Sequence, residues 1–261
     1  MLRRSFSFIL TFLFLLSACQ PAGSKTGNPG DIPKVLAAET FLADIAQNVA
    51  GERLQVGSLI PPGVDPHTFE PAPADVVKVA QSDILIVNGA GLESFLTRLL
   101  QNAGGKHAVI EASKGLTSRK PSGSETAQEI DPHFYLDPVN VIQYVNNIRD
   151  GLSQADPAGT SLYTQNADAY ILKLKSLDQW IRSQVDQIPP GRRLLVTNHE
   201  SFGYFADRYG FKIVGAIIPS VTPDASPSAQ ELAALVNQIK AAGAPAIFLE
   251  KGTNQQLAQQ V

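Results

Sequence analysis

From residue 34 onward, short apolar runs alternate with stretches whose apolar positions recur every three or four residues, the two periods of strand and helix. The pattern predicts strands over Lys34 to Ala38, Leu54 to Ile60, Ile84 to Val87 and Ala108 to Glu111. Helices fall between and after them, over Phe41 to Val49, Ala74 to Ala80, Leu92 to Gln101 and Val139 to Asp150. Such alternation favours a parallel sheet covered on both faces. Asp137 before Pro138 has the form of an N-cap with proline at the first helical position. Tyr163, Tyr170, Leu174, Leu177, Ile181, Val185 and Ile188 keep helical spacing with no Gly or Pro between Ser161 and Ile188. They predict one helix of about 28 residues, roughly 40 Å long and able to cross a whole domain.

A second α/β series follows: strand Leu194 to Thr197, helix Phe202 to Tyr209, strand Lys212 to Ile218, helix Ala229 to Ala241, strand Ala246 to Leu249. Gln255 to Val261 has the form of the opening of another helix, so the second lobe is expected to be incomplete. The fold class is therefore α/β, with two parallel-sheet lobes covered by helices and joined by one long rigid helix. Its expected divisions are 32–157 for the N-terminal lobe, 158–189 for the linking helix and 190–261 for the C-terminal lobe. The polar stretch Ser113 to Glu129 is expected to be a surface loop.

The first residues form a different pattern, with Arg3 and Arg4 preceding an uncharged apolar run from Phe6 to Leu16. This is a secretory signal, too short to span a bilayer comfortably. Leu16, Ser17, Ala18 and Cys19 resemble the bacterial lipobox, which makes residues 1–19 a lipoprotein signal peptide and Cys19 the acylated, membrane-anchored residue. Residues 20–31, rich in Gly, Pro, Ser and Lys, form the expected flexible tether. Composition adds two exclusions. With 44% hydrophobic and 17% charged residues and a net charge of −3, the chain is globular and lacks the basic face a nucleic acid requires. With one cysteine, used for the anchor, no disulfide or thiolate ligand remains.

Of the four histidines, His67, His133 and His199 fall at or just beyond predicted strands, where open α/β sheets place ligands. A secreted chain without thiolates builds a transition-metal site from imidazole and carboxylate, so the three fit better jointly than singly. His107, at the start of a strand, is expected to be an ordinary loop histidine.

Pro66-His67 running on through Phe69, Glu70 and Pro71, Asn88-Gly89-Ala90-Gly91-Leu92-Glu93, and His133-Phe134-Tyr135-Leu136-Asp137-Pro138 resemble one known family. So do Val196-Thr197-Asn198-His199 with Phe202-Gly203-Tyr204-Phe205, and Ile247-Phe248-Leu249-Glu250. It is the family of zinc and manganese solute-binding lipoproteins of ABC importers. The resemblance implies a metal cleft between the two lobes, with His67 and His133 from the first and His199 from the second. It also implies partnership with a cognate permease and its ATPase, an extracytoplasmic location on the bacterial membrane, and a monomer. The family's usual fourth ligand, an aspartate of a later loop, has no counterpart before Val261. Glu250, Glu200 or water are the candidate substitutes, while Glu70 and Glu93 read as capping or surface carboxylates.

Three imidazoles with at most one carboxylate suit Zn2+, and Mn2+, which prefers more oxygen, is the alternative. A secreted zinc hydrolase with Glu200 as base is the rival from another class, but no two-histidine helical motif supports it. An adhesin ranks last, having no repeat or exposed apolar stripe behind it.

Overall fold

A computed structural model of the chain describes residues 32–120, 130–223, 226–250 and 256–261. Cys19, the signal segment and the tether lie outside the described residues.

The first sheet is built from β1 (Val35–Ala37), β2 (Val56–Ser58), β3 (Ile84–Val87) and β4 (Ala108–Glu111). All pairs are parallel, in the order β2-β1-β3-β4. Helices α1 (Thr40–Ala50), α2 (Pro73–Ala80) and α3 (Leu96–Ala103) make the crossovers that parallel strands require. β1 and β3 are wholly apolar and buried because both faces of the sheet are covered. Val35, Ala37, Ile84 and Ile86 face a core shared with α1, α4 (Pro138–Ala155) and α5 (Thr160–Val185), whereas Leu36, Leu85 and Val87 face Val79 and Leu99 of α2 and α3.

Asp137 caps α4, its side chain accepting the Val139 N–H with Pro138 at the first position, as the sequence predicts. At 26 residues, α5 extends about 39 Å. Tyr163, Ala167 and Leu174 bury its first part in the core of the first sheet. Asp178, further along, takes Arg208 Nε at 2.7 Å and Tyr209 Oη at 3.0 Å from α6 (Gly203–Tyr209). One helix thus serves both halves of the fold.

The second sheet pairs β5 (Leu194–His199) with β6 (Lys212–Ile218) in parallel, and α7 (Ala229–Ala242) covers it through Leu235. Ser228 and Glu231 form a reciprocal capping box at the start of α7. Two boundaries differ from expectation in ways that matter. β5 runs on through His199, because His199 pairs with Ile218 of β6. Helix α3 starts at Leu96 rather than Leu92, because Gly89, Ala90 and Gly91 all have positive φ and the Glu93 carboxylate accepts the N–H groups of Asn88 and Gly89, closing a tight turn. The expected last strand is reduced to a single bridge, Phe248 lying parallel to Thr197. Among the described residues no helix is long and apolar enough to cross a membrane.

Candidate metal site

The loop 61–72, which follows β2, carries His67, and its backbone N–H donates to Asp65 Oδ1 at 2.9 Å, an Asx turn that sets the side chain's direction. His133 precedes a short 3-10 turn, Phe134–Leu136, that leads into the cap of α4. Its support is stronger: Asp131 Oδ1 accepts both the His133 backbone N–H at 3.0 Å and the ring Nδ1–H at 2.8 Å. Donation from Nδ1 selects the tautomer and leaves the lone pair on Nε2. His199 ends β5, where Thr197 Oγ1 donates to its carbonyl at 2.7 Å. Glu250 Oε1 lies 3.0 Å from His199 Nδ1 and accepts Ser201 Oγ–H at 2.7 Å. Burial pushes Glu250 up, but His199 and Ser201 outweigh it and hold its carboxyl below the usual range.

The three rings converge. His133 Nε2 lies 3.1 Å from His67 Nε2 and 3.1 Å from His199 Nε2, and the side chains are only 8%, 0% and 2% exposed in chain order. His133 Nε2 has one lone pair and can accept from at most one neighbour, so hydrogen bonding among neutral imidazoles leaves this buried cluster unsatisfied. A cation accepts all three lone pairs at once. Tetrahedral zinc with bonds of about 2.0–2.1 Å spaces its ligand nitrogens by about 3.3 Å, close to what is observed. Among the described residues these three histidines form the one group of His, Cys, Asp and Glu side chains compact enough to hold a metal ion. Glu200 and Glu250 are not in it. Glu250 stands behind His199 as a supporting carboxylate.

Burial, and then the proximity of His133 and His199, push His67 down from an ordinary 6.5 to about 3. An unperturbed imidazole predicts proton competition for the site near pH 6; for His67 that window moves to about 3. His107 stays apart from the site, its ring nitrogens 2.9 Å and 2.7 Å from the carbonyl oxygens of Ser82 and Gly104.

Of the groups behind the three histidines, the sequence singles out only Glu250, and as a substitute fourth ligand rather than a support. Asp131 was visible only as part of Asp131-Pro132-His133. Asn88, buried at the end of β3, donates to the Pro132 carbonyl at 3.1 Å and accepts Tyr144 Oη, bracing the His133 loop from the first sheet. Glu93 is a buried turn staple, not a surface carboxylate. Beside it Glu39 is buried too. Desolvation, and then the charge of Glu93, raise its pKa well above the carboxylate range.

Two parallel sheets sharing one long helix, with a buried imidazole cluster at the carboxyl ends of their strands, define an α/β solute-binding protein. The family described as zinc-uptake complex component A, periplasmic, matches residues 35–261, and the chain belongs to it. The manganese-binding lipoprotein MntA of Halalkalibacterium halodurans is 35% identical over 250 residues, covering 95% of this chain and 81% of that protein. The iron ABC transporter substrate-binding lipoprotein MtsA of Streptococcus pyogenes is 32% identical over 248 residues, covering 93% and 79%. The periplasmic zinc binding protein TroA from Treponema pallidum superposes with a TM-score of 0.81 at 29% identity, covering 88% of this chain and 82% of that one. Members of this family are substrate-binding proteins of metal ABC importers, not enzymes, so the hydrolase reading falls.

Proposed function

We propose that the chain captures a divalent transition metal, zinc in first place, through Nε2 of His67, His133 and His199, and hands it to the membrane permease of an ABC importer driven by its ATPase. The metal is cargo, so the site must hold it and also release it. The observation that carries this reading is the convergence of three buried Nε2 atoms, His133 at 3.1 Å from each of the others, with a carboxylate behind two of the rings. Carboxylates behind ligating imidazoles fix ring orientation and raise ligand basicity. An all-imidazole set favours zinc. Manganese is the second reading, favoured by the relatives named for manganese.

Competition calorimetry of the metal-free protein with zinc and manganese tests the choice: tighter zinc binding is expected, and tighter manganese binding at equal pH reverses it. We also propose that the protein acts as a monomer outside the cytoplasm, tethered by acylated Cys19, a reading supported by the lipobox and by relatives named lipoproteins. Cys19→Ser should move the protein from the membrane to the soluble fraction. Retention on the membrane after signal cleavage contradicts the anchor.

A further inference from the structure

The polar stretch after β4 begins as more than a surface loop. Ser118 Oγ accepts the Asp131 N–H at 2.9 Å, and the Arg119 side chain, 16% exposed, lies between two carboxylates. Its Nη1 is 3.3 Å from Asp131 Oδ2, the oxygen that His133 leaves free, and its Nε donates to Asp207 Oδ2 at 2.9 Å on α6. A second bridge runs beside it, in which Tyr204 Oη of α6 accepts the Arg119 N–H at 3.2 Å and donates to the Asp131 carbonyl at 2.8 Å. The guanidinium lies directly over Gly203, where a Cβ would come within 2.0 Å of Nη1. The space Arg119 occupies therefore exists because residue 203 has no side chain.

We propose that Arg119 is a positioning residue for the metal site, coupling the carboxylate that orients His133 to helix α6, the element that follows His199 in the chain. The inference rests on the proposed ligand set. His133 lies in the loop before α4 and His199 at the end of β5, and a metal held by both demands that their separation be fixed before it arrives. A planar guanidinium can face two carboxylates at once, one on each side of that gap, which a lysine ammonium does in poorer geometry. Division of the Asp131 oxygens between His133 and Arg119 also stops that carboxylate from rotating away from the imidazole.

The test is zinc titration, with dissociation rates by chelator competition, on the full chain carrying Arg119→Ala, Arg119→Lys, Gly203→Ala and the Arg119→Ala/Gly203→Ala pair, with His133→Ala alongside. Arg119→Ala should weaken zinc binding about 10-fold or more, the usual scale for groups that orient ligands, mainly through faster release. Arg119→Lys should recover part of the loss. Gly203→Ala keeps the charge but displaces it, so it should reproduce Arg119→Ala, and the double variant should be no worse than either single one. Asp207→Asn, at an exposed partner, should cost about threefold. A lower melting temperature with unchanged zinc affinity and release rate in Arg119→Ala would make the contact a structural clamp only and overturn the proposal, as would additive losses in the double variant. Wild-type binding by His133→Ala, in contrast, would remove the ligand set itself.

Discussion

The three histidines come together from very different foundations. The first sheet has four strands and is packed on both faces, with Leu42, Ile86, Tyr144, Ile148 and Leu152 fully buried around it. The second, among the described residues, has two paired strands over a core of Val196, Ile217, Ile218 and Leu235. His67 lies in the loop after β2 and His133 in the loop before α4, beside the former, whereas His199 ends β5 of the latter. Among the described residues more apolar side chains are buried around the first sheet than around the second, and a metal held by the proposed ligands is expected to stabilise the less packed side most. Under the proposed ligand set, the Arg119 bridge between Asp131 and Asp207 presets the two sides and the metal adds a further tie between them.

The largest effect should be in the first core. Ile86→Ala should cost about 4 kcal/mol in denaturant unfolding, against about 2–3 kcal/mol for Leu235→Ala in the second, both within the large-to-small range. Equal losses would erase the comparison. Next in size is the effect of zinc itself: at about 100 times its Kd it should add about 2.7 kcal/mol to whatever it binds. Hydrogen exchange should place most of that gain in β5 and β6. A uniform gain would mean that His199 is no more dependent on the metal than the other two.

Two smaller effects have opposite signs with pH. Folded His67 titrates near about 3 and its unfolded form near 6.5, so the unfolded chain takes up the proton first as pH falls. The metal-free protein should keep full stability from this group above pH 6.5 and lose it towards pH 3, and His67→Asn should flatten that slope in melts across the range. Glu39 is raised instead, so its contribution is intact below an unfolded value of 4.5 and fades as pH rises through its folded one. Glu39→Gln should therefore stabilise the protein at pH 8 and make no difference at pH 4. A gain at pH 4 as large as at pH 8 contradicts the buried-acid reading.

Apolar periodicity made the fold legible wherever an element is long or wholly buried: β1, β3, β6, α4, α5 and α7 all form close to where the pattern places them. It failed where backbone conformation overrides it, as in the turn 88–93, whose left-handed residues and carboxylate staple postpone α3. That the three histidines meet is in line with the chemical expectation, since a thiol-free chain leaves few candidate ligands and loops at strand ends are where they collect. The supports behind them were not so legible. Asp131 and Arg119 act through contacts 2 and 12 residues away in sequence, and Glu250, expected only as a substitute ligand, reaches His199 across 51; no local pattern encodes which carboxylate stands behind which ring.

In the proposed site, three imidazoles from both halves of the fold share one metal ion. The most direct test of this is zinc calorimetry at neutral pH on His67→Ala, His133→Ala, His199→Ala and His107→Ala. Each of the first three should lose about 100-fold or more in affinity, beyond the ~10–100-fold that a supporting group costs, while His107→Ala should match the wild type. Full affinity in any of the three, or its loss in His107→Ala, would contradict the assigned site.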